Sequence, residues 1–440
     1  MAYLVWKSYN FNRDVWPVFA AVKEKRNCFF LDSCIRGSLG RYSFLGFEPN
    51  YILGLKDKGS LDTLRRILKE HKVKSIQNAP PFLCGAVGFL TYDFGLLLED
   101  KLKSLAHGRC GLPVGYFAFY DGVIAIDHWQ KKLFIIALNQ SAFKKISRAL
   151  QGMNYNKMIE EQEKRKNTPA LICPAAKNYN YKKAVKKAKD YIAKGDIYQV
   201  NLAQKFLAKS SLAADEIFQR LRKASPASFS AYLDCGNFQV ISSSPERFLS
   251  LRDRKVQARP MKGTRPRAKD KQKDEHLKRE LLNSVKDKAE LVMIVDLMRN
   301  DLGRVCEYSS VRVSAIRNLE KYKTVFQTTA SIEGTLHKDR DGIDLLKACF
   351  PGGSITGCPK IRSMEIIHEL EPFRRGIYTG SLGYFSYSGN LDFNILIRTI
   401  LKQGNDLSFC VGSGIVADSQ PEAEYAETLV KAEGILRAIS

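Results

Sequence analysis

No apolar run in the 440-residue chain reaches the roughly 18 residues that a membrane span needs. The stretch Met1 to Asn10 is aromatic and polar, without the basic and apolar regions of a secretory leader. No membrane association and a cytoplasmic location are therefore expected. Cysteine is present, but no C-x-x-C pair occurs among Cys28, Cys34, Cys84, Cys110, Cys173, Cys235, Cys306, Cys349, Cys358 and Cys410. Zinc clusters and dithiol redox chemistry thus have no support, and the thiols are expected to be reduced and mostly core filler. The six histidines form no H-x-x-x-H pattern, and there are no internal repeats or low-complexity tracts.

What is present describes a globular protein with a sizeable core: 45% hydrophobic and 10% aromatic residues. Lysine and arginine outnumber the acidic residues 70 to 46, a net charge of +24. Such an excess can mark nucleic-acid binding. Here the lysines are spread through amphipathic helices (Lys182, Lys183, Lys186, Lys187, Lys189; Lys269, Lys271, Lys273, Lys278) rather than gathered with aromatics. Attraction of an anionic metabolite accounts for the charge as well, and no nucleic-acid partner is expected.

Residues 1–150 alternate short apolar runs with turns and read as a β-rich region, interrupted by one helix over Leu61 to Glu70. Residues 151–180, polar and carrying Pro169 and Pro174, read as a linker. A second domain, 181–440, follows. Helices are expected over Tyr181 to Lys194, Ala213 to Lys223, Asp270 to Asn283, Lys286 to Arg299, Gly342 to Ala348 and Pro421 to Ile439, with strands between.

Four groups in this second region could carry chemistry. The first is Ser244-Pro245-Glu246-Arg247, followed by Met261-Lys262-Gly263-Thr264-Arg265. It offers a carboxylate and an amine from adjacent strands, suited to an acid and a nucleophile, or equally to a solvated surface pair. The second is the glycine- and hydroxyl-rich loop Phe350 to Lys360, which runs into a helix with Pro359 as its first residue. Its free N–H groups, with Ser354 and Thr356, suit a carboxylate or phosphate, although the spacing is not that of a P-loop. The third is Gly412-Ser413-Gly414, at the end of an apolar strand. In the fourth, Asp287 with Glu290 and Glu424 with Glu427 each lie three residues apart on a helix, so each pair projects from one face. Facing helices of that kind suit a divalent ion, and they also occur as plain solvated surfaces.

Taken together and in order, these segments, with Gly195 to Asn201, resemble the chorismate-utilising enzymes. That family includes component I of anthranilate synthase and of aminodeoxychorismate synthase, and the isochorismate and salicylate synthases. The resemblance is close over residues 180–440. It is looser over 1–150, where Ser33, Arg41, Tyr42 and Ser43 stand at a tryptophan pocket of relatives. It implies an α+β fold of two stacked antiparallel sheets wrapped by helices. It also implies Mg²⁺ bridging the ring carboxylate of chorismate to Glu290 and Glu427, with Asp287 and Glu424 around it. Tyr378, Arg398, Gly412, Ser413, Gly414 and Lys431 match positions that hold the substrate's carboxylates, and Gln199, Ser354, Thr356 and Gly357 complete the candidate substrate contacts.

Two positions discriminate among members by this resemblance. Members that add water have a lysine where this chain has Gln199, and an amide takes no proton from water at neutral pH. Lys262 is similar to the aminodeoxychorismate synthases, in which it attacks C2 of chorismate while an acid matching Glu246 protonates the departing C4 hydroxyl. Gln327 stands where anthranilate synthases have a histidine that assists pyruvate elimination. The expected activity is amino transfer to chorismate, giving 4-amino-4-deoxychorismate for p-aminobenzoate and folate synthesis. Anthranilate synthase component I is the alternative, and a basic nucleic-acid-binding protein a remote one. No glutaminase elbow is present, so a separate glutamine amidotransferase subunit is expected to supply ammonia. An amine nucleophile must be neutral, which requires a buried Lys262 rather than a solvent-facing one.

Overall fold

Alternate residues of the same strand enter two different cores, and this determines the layering. Phe29, Val123, Ala125, Phe134 and Ile136 belong to one apolar cluster, whereas Phe30, Ile124, Ile126, Leu133 and Ile135 belong to another. Side chains alternate across a strand, so a strand buried on both faces reads as a continuous apolar run. The first cluster lies between two antiparallel sheets, of twelve and ten strands among the described residues. The second lies between the twelve-stranded sheet and helices, with Phe19, Phe218, Leu221 and Ile435 as helical contributors.

The structure, a computed structural model, describes residues 4–37, 39–106, 111–151, 171–322 and 325–440. Most of the expected linker, with its helix-like Met158 to Arg165, lies outside the described residues. Both sheets cross that boundary. Phe29–Asp32 pairs with Phe229–Asp234 in the larger sheet, and Gly85–Leu90 pairs with Ser381–Ser386 in the smaller. No helix among the described residues is long and apolar enough to cross a membrane.

The expected helices form at Ser60–Glu70, Tyr181–Ala193, Ala214–Ala224, Lys271–Asn283, Val285–Gly303, Gly342–Cys349 and Pro421–Ile439. Three more, Trp16–Ala20, Tyr92–Leu98 and Gln140–Gln151, arise inside the region read as strands and turns. Pro359 is the cap of the Lys360–Leu370 helix rather than its first residue, because its ψ of 143° is extended.

The chain passes between the sheets twice at one place. Strand Gln239–Ser244 belongs to the larger sheet and Arg247–Arg252 to the smaller, so Glu246 sits at the crossing. Leu391–Asn394 and Thr399–Gln403 make the return crossing, which carries Arg398. The crossings are tied together by the Ile395 N–H donating to the Glu246 carbonyl at 3.0 Å and the Ser244 hydroxyl donating to the Ile395 carbonyl at 2.6 Å.

Candidate active site

Lys262 lies in the smaller sheet, on strand Met261–Pro266, paired with Val325–Thr335. The register slips between Lys262, opposite Thr328, and Thr264, opposite Gln327, so Gly263 is the extra residue of a bulge. Its φ is +74°, and a β-carbon there would lie 3.0 Å from Asp287 Cγ, so the position suits only glycine. The bulge aims Lys262 across the gap at the larger sheet, while Thr328 donates to the Lys262 carbonyl. A β-carbon on Gly414 would stand 2.5 Å from Gln199 Nε2 and 3.2 Å from Lys262 Nζ. The amine and the Gln199 amide therefore converge over a glycine, one from each sheet. The Lys262 side chain is 13% exposed, so it is largely but not fully covered.

Glu246 is 5% exposed and accepts a hydrogen bond from Ser354 Oγ at 2.6 Å. Burial pushes its carboxyl up to about 7, against the Ser354 hydrogen bond and the positive charges of Lys262 and Lys431, which pull it down. A carboxyl poised there holds its proton for much of the time at neutral pH and can deliver it, as a general acid must. Ser354 thus serves the carboxyl. Thr356 turns back into its own loop, donating to the Gly352 carbonyl at 3.0 Å, and Gly357 pairs with Val200.

Polar groups on the larger sheet beside Lys262 and the glycine-rich loop are short of partners. Gln199 Oε1 and Asn201 Oδ1 are buried without a hydrogen bond, as is Gln327 Oε1 on the opposite sheet. Buried acceptors left open in this way mark a place for a ligand's donors. The Tyr378 hydroxyl would lie 2.7 Å from a β-carbon on Gly412. Lys431 donates to the Gly412 carbonyl at 2.9 Å and pairs with Glu427 at 2.7 Å. Arg398 is half-buried with a long hydrogen bond to Ser225 Oγ, at 3.4 Å. The Ser413 hydroxyl points away, 2.7 Å from Tyr181 on the Tyr181–Ala193 helix, so whatever Ser413 offers the cleft is main chain.

The four helical carboxylates each have a cation. Glu290 lies 4.0 Å from Lys262, Asp287 3.3 Å from Arg265, Glu424 3.6 Å from Lys286, and Glu427 beside Lys431. Burial pushes Glu290 above its ordinary value, against the pull of Lys262 and Lys286. Among the described residues no group of three or more ligating side chains is gathered as a ready-made metal cage. The donors do suit Mg²⁺ in kind: they are all oxygen, and Asp287 Oδ2 is buried with only the ion pair to Arg265 and no hydrogen bond. Mg²⁺ is usually held by one or two carboxylates together with waters and substrate.

Away from this cleft, Ser33, Arg41 and Tyr42 line a cavity of about 330 Å³ walled by Phe44, Phe229 and Tyr384. Ser43 instead hydrogen-bonds Asp32 and His128, at 3.0 and 2.8 Å. Tyr181, Lys286, Glu371 and Arg375 belong to the surroundings of the site without having stood out in the sequence. Their only signals, such as Glu and Arg four residues apart, are those of a solvated helix face.

The model of the chorismate binding enzyme family matches residues 26–437. Aminodeoxychorismate synthase component 1 of Bacillus subtilis is 37% identical, over 96% of this chain and 93% of that protein. Anthranilate synthase component 1 of Acetivibrio thermocellus is 35% identical, over 96% and 92%. The crystal structure of anthranilate synthase component I from Streptococcus pneumoniae superimposes with a TM-score of 0.79 at 29% identity, covering 91% of this chain and 93% of that one. With its two stacked sheets and the cleft between them, the chain belongs to the chorismate binding enzymes.

Proposed function

We propose that the chain is the aminodeoxychorismate synthase type of chorismate enzyme, converting chorismate and ammonia to 4-amino-4-deoxychorismate. The observation that carries this reading is Lys262, largely covered and directed across the gap to Gln199, with a protonatable Glu246 close enough to feel its charge. Lys262 Nζ forms a bond to C2, both ring double bonds shift one position toward C4 and the C4–O bond breaks, and Glu246 gives its proton to the departing hydroxyl, which leaves as water. Ammonia then bonds to C4, both double bonds return to their first positions and the C2–N bond to Lys262 breaks, the proton that ammonia sheds balancing the one the released amine takes up. Gln199 offers an amide, not a base, so water is not activated for the same attack. Glu290 and Glu427 would hold Mg²⁺, which supplies positive charge for the ring carboxylate. Tyr378, Arg398, Lys431 and the Gly412 to Gly414 main chain complete the anion site.

Relatives bearing the name component 1 support a second component, here proposed to be a glutamine amidotransferase subunit delivering ammonia. The cavity at Ser33, Arg41 and Tyr42 is proposed to take tryptophan. A second reading, anthranilate synthase component I, is favoured by relatives of similar identity. Purified protein with chorismate, Mg²⁺ and an ammonium salt separates the two. The proposal requires no fluorescent product until 4-amino-4-deoxychorismate lyase is added, whereupon p-aminobenzoate forms. Fluorescent anthranilate without lyase overturns it.

A further inference from the structure

The ion pair of Arg375 with Glu371 lies behind the cleft, and each side chain is 1% exposed. Glu371 Oε1 accepts from Arg375 Nη2 at 2.6 Å and from the Ala203 N–H at 2.8 Å, and Oε2 accepts from Arg375 Nε at 2.8 Å. The guanidinium reaches further. Nη2 donates to the Asn201 carbonyl at 2.6 Å, and Nη1 donates to the Ile355 carbonyl at 3.1 Å and Thr379 Oγ1 at 3.2 Å. Its face lies 4.7 Å from the Tyr92 ring centroid and 5.7 Å from that of Tyr378.

One planar group therefore joins three segments. These are the strand carrying Gln199 and Asn201, the glycine-rich loop carrying Ser354, and the turn carrying Tyr378. The strand is held to its neighbour by a ladder from Val200–Ile415 to Lys209–Asp406, but its ladder to the loop is only Gln199–Cys358 and Val200–Gly357. Direct bonds also join them, from the Tyr198 N–H to the Cys358 carbonyl and the Asn201 N–H to the Thr356 carbonyl, each at 2.8 Å, and from Asn201 Nδ2 to the Ile355 carbonyl at 3.2 Å. What the guanidinium adds is a single rigid link from the Asn201 and Ile355 carbonyls to Thr379 in the turn. A buried ion pair is seldom retained for stability alone, since apolar residues of the same volume often serve as well.

We propose that Arg375, braced by Glu371, is a positioning residue that holds the glycine-rich loop against the Gln199 strand and thereby places the Ser354–Glu246 acid opposite Lys262. Of the groups assigned to the substrate's carboxylates, Arg398, Lys431 and the Gly412 to Gly414 main chain receive no hydrogen bond from it, and its side chain meets Tyr378 only through the ring face at 5.7 Å. Its removal should therefore slow the chemistry while leaving substrate binding in place. The kinetic readout rests on the proposed chorismate chemistry.

Arg375→Lys keeps the positive charge beside Glu371, but one nitrogen cannot reach Asn201, Ile355 and Thr379 together. With Mg²⁺ and ammonium, kcat for chorismate disappearance should fall on the order of 10²-fold, with KM within about threefold of wild type, as for a catalytic group displaced by about 1 Å. Calorimetric titration with chorismate and Mg²⁺ should give the wild-type stoichiometry per chain. A purely structural role predicts the reverse, reduced stoichiometry with an unchanged rate per binding site, and that result overturns the proposal. If Arg375→Lys does not fold, Glu371→Asp is read in the same way, because it keeps the pair but draws the carboxylate back from Ala203. Wild-type turnover is measured first, as substrate loss whatever the product. Its absence overturns the reaction assignment and this role with it, whereas wild-type turnover with an undiminished variant overturns the role alone.

Discussion

Glu246→Gln should make the protein more stable while abolishing its chemistry, and the size of the effect follows from one buried carboxyl. The group titrates at about 7 when folded, against 4.5 as an ordinary glutamate. Because the folded state holds the proton more tightly, its stabilising contribution is complete below pH 4.5 and is lost as pH rises to 7. The difference of about 2.5 pH units corresponds to about 3 kcal/mol. Glutamine is never ionised, and its carbonyl can accept the same hydrogen bond from Ser354. The variant should therefore match wild type near pH 4.5 and exceed it by up to about 3 kcal/mol at pH 8. Urea unfolding at pH 5, 6, 7 and 8 measures the gap, and the same preparations are assayed for ammonia-dependent chorismate loss. A gap that stays constant across this range would refute the burial argument. A gap that opens as worked out, in a variant with full activity, would instead refute the assignment of Glu246 as the acid.

Lys262→Ala should lose most chorismate turnover while retaining its fold, because the side chain leaves a bulge held by main-chain bonds; full activity would sink the covalent route. Gly414→Ala places a methyl group 2.5 Å from Gln199 Nε2, and should cost about 1–3 kcal/mol in urea midpoint analysis and most of the turnover. Tryptophan at 100 times its dissociation constant should stabilise the protein by about 2.7 kcal/mol, read as a rise in melting temperature that Ser33→Ala or Arg41→Ala diminishes.

The sheets were legible because period-two and fully apolar runs record burial directly, as at Gly115–Tyr120 and Lys132–Ala137. The carboxylate pairs were legible for a similar reason, since a spacing of three on a helix fixes a shared face. Partners were less so. Nothing local states that Ser413 will turn to Tyr181, or that Thr356 will bond within its own loop, because those choices depend on segments far away in the chain. The helix Gln140–Gln151 carries Phe143, Ile146 and Leu150 at helical spacing, yet it follows the apolar strand Lys132–Ala137 so closely that the change of period is hard to see. The Glu371–Arg375 pair defeats pattern reading altogether. Four-residue spacing of opposite charges predicts an exposed helix surface, but here the Lys360–Leu370 helix has already ended, and the Asn201–Ala203 strand, the glycine-rich loop and Tyr92 enclose both groups.

Electrostatics links the proposed chemistry to the arrangement of charges more tightly than net charge does. Around the cleft, Lys262, Lys286, Lys431 and Arg265 stand against Glu290, Glu424, Glu427 and Asp287, so these groups nearly cancel. Glu246, titrating near 7, adds little negative charge, and Arg398 is left as the cation without an acidic partner among them. Such a site has little field with which to hold a dianion until a divalent ion joins it. A divalent ion held by Glu290 would supply a surplus suited to a substrate with two carboxylates, and would compete with Lys262 for Glu290. If the proposed Mg²⁺ site is right, the carboxylate pairs would restrain the nucleophile as well as hold the ion. Glu290→Gln should then weaken Mg²⁺ affinity in calorimetry and also alter trapping of Lys262 by amine-directed reagents in the metal-free protein. Unchanged labelling, with weakened Mg²⁺ binding, would confine Glu290 to the ion.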